Sequence, residues 1–236
     1  MSKNPKSIEM IKLIANALGE LNNKAVYVGG ASIPFYLPEI YWSQARPTED
    51  VDIVMEVVGR AENWATDELL RSKGFKNDTS EGAPICRWVY QGLKVDLMTP
   101  NQNILGFANS WYKEEIEKTI EILISPITIR ILSLPYFLAT KIEAFKDRGY
   151  PDFMGSKDME DIISLLEVSN EELFKKGYIN TSESLRAYLK AEFLNLKKQS
   201  AFLDSIPGAL FNRINTAESS QFVLKRIDQI IGNFYG

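Results

Sequence analysis

The residues that promise chemistry are three aspartates in a chain that has no histidine. Asp50 and Asp52 flank a single valine in Asp50-Val51-Asp52-Ile53-Val54-Met55, and Asp96 stands in Leu93-Lys94-Val95-Asp96-Leu97-Met98. Both stretches alternate as half-buried strands do, so Asp50 and Asp52 point to one face while Val51 and Ile53 point to the other. Two like charges side by side on a strand are costly unless a cation lies between them. A divalent ion removes that cost, and in phosphoryl transfer a pair of such ions holds the attacking and leaving oxygens in line. Asp96, between Val95 and Leu97, also needs a partner. A metal is one candidate; Lys94 on the same face, or an arginine, is the ordinary alternative. If the two strands are neighbours, three carboxylates converge, and the third can also help to deprotonate an acceptor hydroxyl.

A second feature lies upstream. Ala25–Val28 reads as a short buried strand running into Gly29-Gly30-Ala31-Ser32. Glycines at a strand-to-helix turn let backbone N–H groups approach a phosphate closely, a following helix adds partial positive charge, and Ser32 adds a hydroxyl donor. Taken alone, the diglycine is a weak signal, because Gly-Gly also makes a tight turn and nothing else.

Composition narrows the chemistry further. Without histidine, Ser-His-Asp and Cys-His mechanisms are excluded and oxygen ligands dominate, which suits a hard cation such as Mg²⁺. A single cysteine, Cys86, leaves no internal disulfide and no cysteine-rich zinc site, so a reducing, cytoplasmic setting is expected. Cys86 itself reads as a small buried hydrophobe. No secretory signal and no membrane span are expected, since apolar runs are short and interrupted by charge or proline. The formal charge of −4 argues against an indiscriminate nucleic-acid binder.

These residues must be positioned by regular elements. Helical spacing of Ile8, Ile11, Ile14, Leu18 and Leu21 predicts a first helix with Asn22-Asn23 as its stop. Extended segments follow at 25–28, 50–58, 85–90, 93–98, 121–124 and 127–132, with a helix at 61–73 ended by Gly74 and a hairpin turn at Gln91-Gly92. After Ser133 the pattern is helical: 134–148, 157–167, 170–176, 183–198 and 218–231. The expected fold class is α+β (α/β): a mixed sheet flanked by helices over residues 1–132, then a helical region over 133–236. Trp42, Trp88, Trp111, Tyr112 and Tyr136 can stack on a base, although such residues more commonly build cores.

Taken together, Gly-Gly-x-Ser, Asp-x-Asp in an apolar segment and a lone Asp in a later strand resemble the nucleotidyltransferase superfamily that includes DNA polymerase beta, CCA-adding enzymes and minimal nucleotidyltransferases. Arg46-Pro47-Thr48-Glu49 is similar to the lead-in of several of its families. The gap between the glycines and the Asp pair, with Pro34, Pro38, Tyr41 and Trp42, is longer than in minimal members. Lys141, Ala144 and Arg148 at helical spacing, then Lys157-Asp158-Met159-Glu160-Asp161, resemble the AbiEii/AbiGii toxin-like nucleotidyltransferases over residues 24–168.

That resemblance implies a catalytic domain over 1–132 and a helical domain over 133–236. Asp50, Asp52 and Asp96 would be catalytic and metal-binding, with two Mg²⁺ (Mn²⁺ an alternative); Gly29, Gly30, Ser32, Lys141 and Asp158 would bind nucleotide. Lys141 would touch the triphosphate, Asp158 would hydrogen-bond near the nucleotide or orient Lys141, and Asp161 would be a structural partner of Arg148. The implied reaction moves NMP from an NTP to an acceptor hydroxyl of RNA, such as tRNA, or of a protein, and a cognate antitoxin would accompany a toxin. The alternatives are nucleotidylation of an aminoglycoside-like small molecule, with an acidic C-terminal pocket drawing on Glu143, Asp147 or Glu160, and a non-catalytic nucleotide-binding module.

Overall fold

The computed structural model describes residues 5–55, 60–100, 109, 111–116, 118–211 and 214–232. The chain divides into two compact units, Met1–Phe35 with Ala45–Leu132, and Tyr36–Gln44 with Ser133–Gly236. The architecture is α+β: a mixed seven-stranded sheet and helices. Among the described residues no helix is long and apolar enough to cross a membrane.

The first unit is built on the sheet. Its strands are β1 (Ala25–Val28), β2 (Asp50–Met55), β3 (Lys76–Asn77), β4 (Arg87–Tyr90), β5 (Leu93–Met98), β6 (Thr119–Ile124) and β7 (Ile127–Leu132), in spatial order β3-β4-β5-β2-β1-β7-β6. The β2–β5 and β1–β7 pairs are parallel and the rest antiparallel. Alternation decides what each face holds: Tyr27, Val51, Ile53, Trp88, Val95, Ile129 and Ile131 are buried on one side. Helix α1 (Lys6–Leu18) packs its Ile8, Ile11, Ile14 and Leu18 stripe on β2 and β7. Helix α2 (Arg60–Ser72) and the short α3 (Tyr112–Glu115) complete the unit.

Several boundaries differ from expectation for identifiable reasons. Helix α1 stops at Gly19, whose φ of 57° breaks the right-handed path, and residues Gly19–Lys24 tighten into a 3₁₀ turn. Asn22, expected as the stop, is instead a buried tie that donates to the Thr128 carbonyl at 2.9 Å and accepts from Tyr27 Oη. The segment after the glycines is a 3₁₀ helix, Gly30–Tyr36, containing Pro34, rather than an α-helix, and a second follows at Glu39–Gln44. These two fill the long gap noted in the sequence. The extended reading of residues 56–58 lies outside the described residues.

The second unit is helical. It contains α4 (Leu134–Ala144), a single π-turn at Phe145–Gly149, α5 (Lys157–Val168), α6 (Glu171–Ile179), α7 (Glu183–Lys197), α8 (Ser200–Ala209) and α9 (Thr216–Ile231). Helix α4 is buried over Leu134–Ile142 and packs against α5, α6 and α7, so it is the central rod of this unit. Ser156, Ser182 and Asn215 accept backbone N–H bonds as N-caps of α5, α7 and α9, and Asn170 Oδ1 does the same for Glu172 at the start of α6. Helix α8 was not expected, because Pro207 and Gly208 interrupt its pattern; Phe202 and Ile206 anchor it nonetheless. Tyr136 is core in this unit, as Trp88 is in the first.

Candidate active site

The three aspartates meet on one face of the sheet. In the parallel β2–β5 ladder Asp52 is the direct partner of Asp96 and Asp50 that of Lys94. Partners in register share a face, and Asp50 and Asp52 are two residues apart, so all three carboxylates point the same way. Their surroundings differ. Asp50 has a side chain 33% exposed, whereas Asp96 is 12% exposed.

The diglycine turn lies against Asp52. Gly29 has φ of 67°, and a Cβ there would fall 1.8 Å from Asp52 Oδ2. Only glycine allows both the left-handed backbone and that contact. A Cβ on Gly30 would approach Arg46 Nη2 at 3.2 Å and Thr48 Oγ1 at 3.5 Å, so the Arg46–Thr48 lead-in folds over the second glycine. Thr48 Oγ1 donates to Asp50 Oδ1 at 2.8 Å, fixing that carboxylate's rotamer. Ser32 is fully buried, and its hydroxyl donates to the Gly29 carbonyl at 2.9 Å. It locks the turn rather than presenting a donor outward.

Sequence reasoning missed Arg87. Its Nε donates to Asp96 Oδ1 at 2.7 Å and its Nη2 to Asp96 Oδ2 at 2.6 Å, a two-pronged fork, while Nη2 also comes within 3.5 Å of Asp50 Oδ2. The Asp96 bonds hold the guanidinium firmly protonated. The signal was present in the hairpin turn. Gln91 and Gly92 both have positive φ, 48° and 82°, the mark of a two-residue turn. Counting outward from that turn pairs Tyr90 with Leu93 and Arg87 with Asp96. The arginine alternative for Asp96 is thus the arrangement found.

This geometry also tests a metal. Asp50 and Asp52 offer hard oxygen donors side by side on an accessible face, which fits a divalent cation of the Mg²⁺ type. Asp96 does not join them as a ready third ligand, because both its oxygens are engaged by Arg87. Among the described residues no three acidic or thiol side chains stand together as a preformed metal cradle. Cys86, adjacent to Arg87, is buried, and burial first and the Asp96 charge second push its thiol up to about 11. It is a packing residue.

Lys141 and Asp158 belong to the helical unit and form a cluster of their own. Lys141, 5% exposed, donates to Asp161 Oδ2 at 2.7 Å and Asp158 Oδ1 at 3.2 Å. Burial works against its charge, but Asp161 and Asp158 outweigh it and hold its pKa above the ordinary value. Arg148 completes the cluster through Nε and Nη2 bonds to Asp158 at 2.9 and 3.1 Å. Arg148 thus bonds Asp158, and Asp161 bonds Lys141, so the two aspartates of this helix share the two cations. A lysine on the buried central helix needs such counter-charges, and its ammonium is committed to them rather than turned outward.

No family model matches the chain, and no curated protein does either. Its fold is shared with the crystal structure of an antigenic nucleotidyltransferase-like protein from Paracoccidioides brasiliensis: TM-score 0.53 and 20% identity, covering 85% of this chain and 93% of that one. A looser superposition relates it to a candidate nucleotidyltransferase from H. pylori, with TM-score 0.46, 14% identity and coverage of 98% and 96%; it carries no further argument. The fold is therefore nucleotidyltransferase-like. At this identity the likeness speaks for the fold alone.

Proposed function

We propose that this protein transfers a nucleoside monophosphate from an NTP to an acceptor hydroxyl. The acceptor oxygen bonds to the α-phosphorus, the bond from that phosphorus to the α–β bridging oxygen breaks, pyrophosphate leaves, and the hydroxyl proton passes to base or solvent. The observation that carries the proposal is the convergence of Asp50, Asp52 and Asp96 on one sheet face beside the Gly29-Gly30 turn, in a fold of nucleotidyltransferase type.

Asp50 and Asp52 would hold Mg²⁺, or Mn²⁺ in its place. When bound, such an ion neutralises phosphate charge and lowers the pKa of the attacking hydroxyl. Thr48 keeps Asp50 in its rotamer, and Gly29 leaves room for the Asp52 carboxylate. A second ion drawing on Asp96 has to displace Arg87 from it. The glycines let phosphate approach the backbone, with Arg46 beside them as a nearby cation. Ser32 supports the turn, and Lys141 with Asp158 forms the internal tie of the helical unit.

The resemblance to AbiEii/AbiGii toxin-like enzymes supports the finer reading: an acceptor on RNA, such as a tRNA end, or on a protein, and a toxin role with a cognate antitoxin. The test is to incubate the purified chain with each α-labelled NTP, Mg²⁺ and, separately, total RNA, cell lysate protein and small aminoalcohols. Label should pass to RNA or protein and be lost in Asp50→Asn and Asp52→Asn. Label on the aminoalcohol alone would overturn the macromolecular acceptor, and label that persists in both variants would overturn the mechanism.

A further inference from the structure

Arg87 is clamped at the acidic face with part of its guanidinium uncommitted. Nε and Nη2 are engaged by Asp96 and Asp50. Nη1 has no protein acceptor among the described residues, and it is not sealed from solvent: the side chain is 18% exposed and Nη1 is absent from the buried, unsatisfied atoms. Asp96 therefore grips one edge of the fork and leaves the other turned outward. The strand register sets the two residues opposite each other, since Arg87 and Asp96 are direct partners across β4 and β5.

A guanidinium held this way is preorganised for an anion. Its rotamer is fixed before any ligand arrives, so little side-chain entropy remains to be lost on binding. It borders Asp50 and lies on the same face as Asp52, where its cation offsets the carboxylates that a polyphosphate would meet.

We infer that Arg87 is a substrate-phosphate ligand: Asp96 positions its guanidinium so that the Nη1 hydrogens bind a non-bridging oxygen of the nucleotide triphosphate. This rests on the nucleotidyl-transfer reading above and deepens it. Asp96 becomes a positioning residue, and the face offers phosphate an arginine beside the cation held by Asp50 and Asp52. The competing role for Arg87 is neutralisation of Asp96 and nothing else.

A binding experiment separates the two. Calorimetry would titrate the α,β-methylene analogues of ATP, GTP, CTP and UTP, which cannot be cleaved at the α–β bridge, into the full chain with Mn²⁺. Arg87→Met should weaken the analogue that wild type binds by about tenfold or more. Its affinity for Mn²⁺ alone should not fall, because Asp96 is released. In the double variant Arg87→Met, Asp96→Asn the buried charge is no longer orphaned, and nucleotide affinity should stay as low as in the single variant. Recovery of wild-type affinity in the double variant, or no loss in the single one, overturns the inference and leaves the proposed function standing. Wild type that binds none of the four analogues overturns the proposed function itself. Should Arg87→Met unfold, Arg87→Lys gives the same reading: a lysine keeps a charge on Asp96 but cannot grip both oxygens and still present an outward N–H pair, so undiminished affinity there sinks the inference.

Discussion

Gly29 is a position where backbone conformation and chemistry are coupled. Its φ of 67° and the 1.8 Å approach of a built Cβ to Asp52 Oδ2 leave no room for a side chain. Gly29→Ala is expected to cost about 1–3 kcal/mol of stability from backbone strain and to push the Asp52 carboxylate out of place. Urea unfolding would register the first effect, and labelling from α-labelled NTP should drop at least about a hundredfold. Wild-type activity in a folded variant would remove Asp52 from the chemistry. Cys86 gives an independent check on the same neighbourhood. With its thiol pushed up to about 11 from an ordinary 9.0, its thiolate fraction at pH 8 is about a hundredfold below that of the unfolded chain. Reaction with a disulfide reagent should be correspondingly slow until urea unfolds the protein; rapid reaction of the native form would contradict this burial. The shared strand face of Asp50 and Asp52 and the turn at the glycines were legible in the sequence, because residue type and spacing carry that information. Sequence did not identify Arg87, whose role depends on which residue the hairpin turn sets opposite Asp96.

Among the elements, helix α4 shows most clearly what buried charge demands. Lys141 is unaffordable on a buried helix except as part of the Asp158–Asp161–Arg148 cluster. Lys141→Met, which leaves Asp161 buried without that cation, is expected to cost about 3–5 kcal/mol in urea unfolding. The pH dependence has a definite sign. Burial raises the Asp158 pKa, but Lys141 and Arg148 outweigh it, and the net value is lowered from 3.8. Its contribution is thus present above that value and lost as the pH falls below it. For Lys141, raised from 10.5, the contribution is present below that value and lost as the pH climbs past it. Asp158→Asn should flatten the acid limb of a stability-versus-pH curve below pH 4; an unchanged acid limb would show that Asp158 is not held as described. On helix α9, Arg226 donates to the Leu166 and Ser169 carbonyls and to Ser169 Oγ, closing the C-terminal end of α5, and lies over the Phe174 and Phe222 rings. Loss of these bonds in Arg226→Met should lower stability by about 2–3 kcal/mol; a change of less than half that would mean the carbonyls find water instead. These ties were not legible beforehand. Periodicity assigns Lys141 and Arg226 to helices but is silent on which distant residues meet them.

Across the whole chain, the alternation of strand and helix before Ser133 and the run of helices after it correspond to real elements, because periods of two and of about 3.6 residues record which faces are buried. What escaped was short or irregular: strand β3, helix α3, two 3₁₀ helices where one helix or loop was expected, the π-turn at Phe145–Gly149, and a helix running through Pro207. Each is decided by local dihedral limits or by packing partners far along the chain, neither of which a period reveals. The net charge of −4 bears on partners, since an RNA acceptor has to be recognised by local basic groups against an unfavourable overall field. In the proposed function the carboxylates on the β2–β5 face carry nucleotidyl transfer. Its most direct test is pyrophosphate release from NTP in the presence of Mg²⁺ and the acceptor fraction that becomes labelled, compared between wild type and Asp52→Asn of equal thermal stability. Release in step with labelling is expected for wild type, with a loss of at least about a hundredfold in the variant; equal release from both proteins would remove these carboxylates from the chemistry.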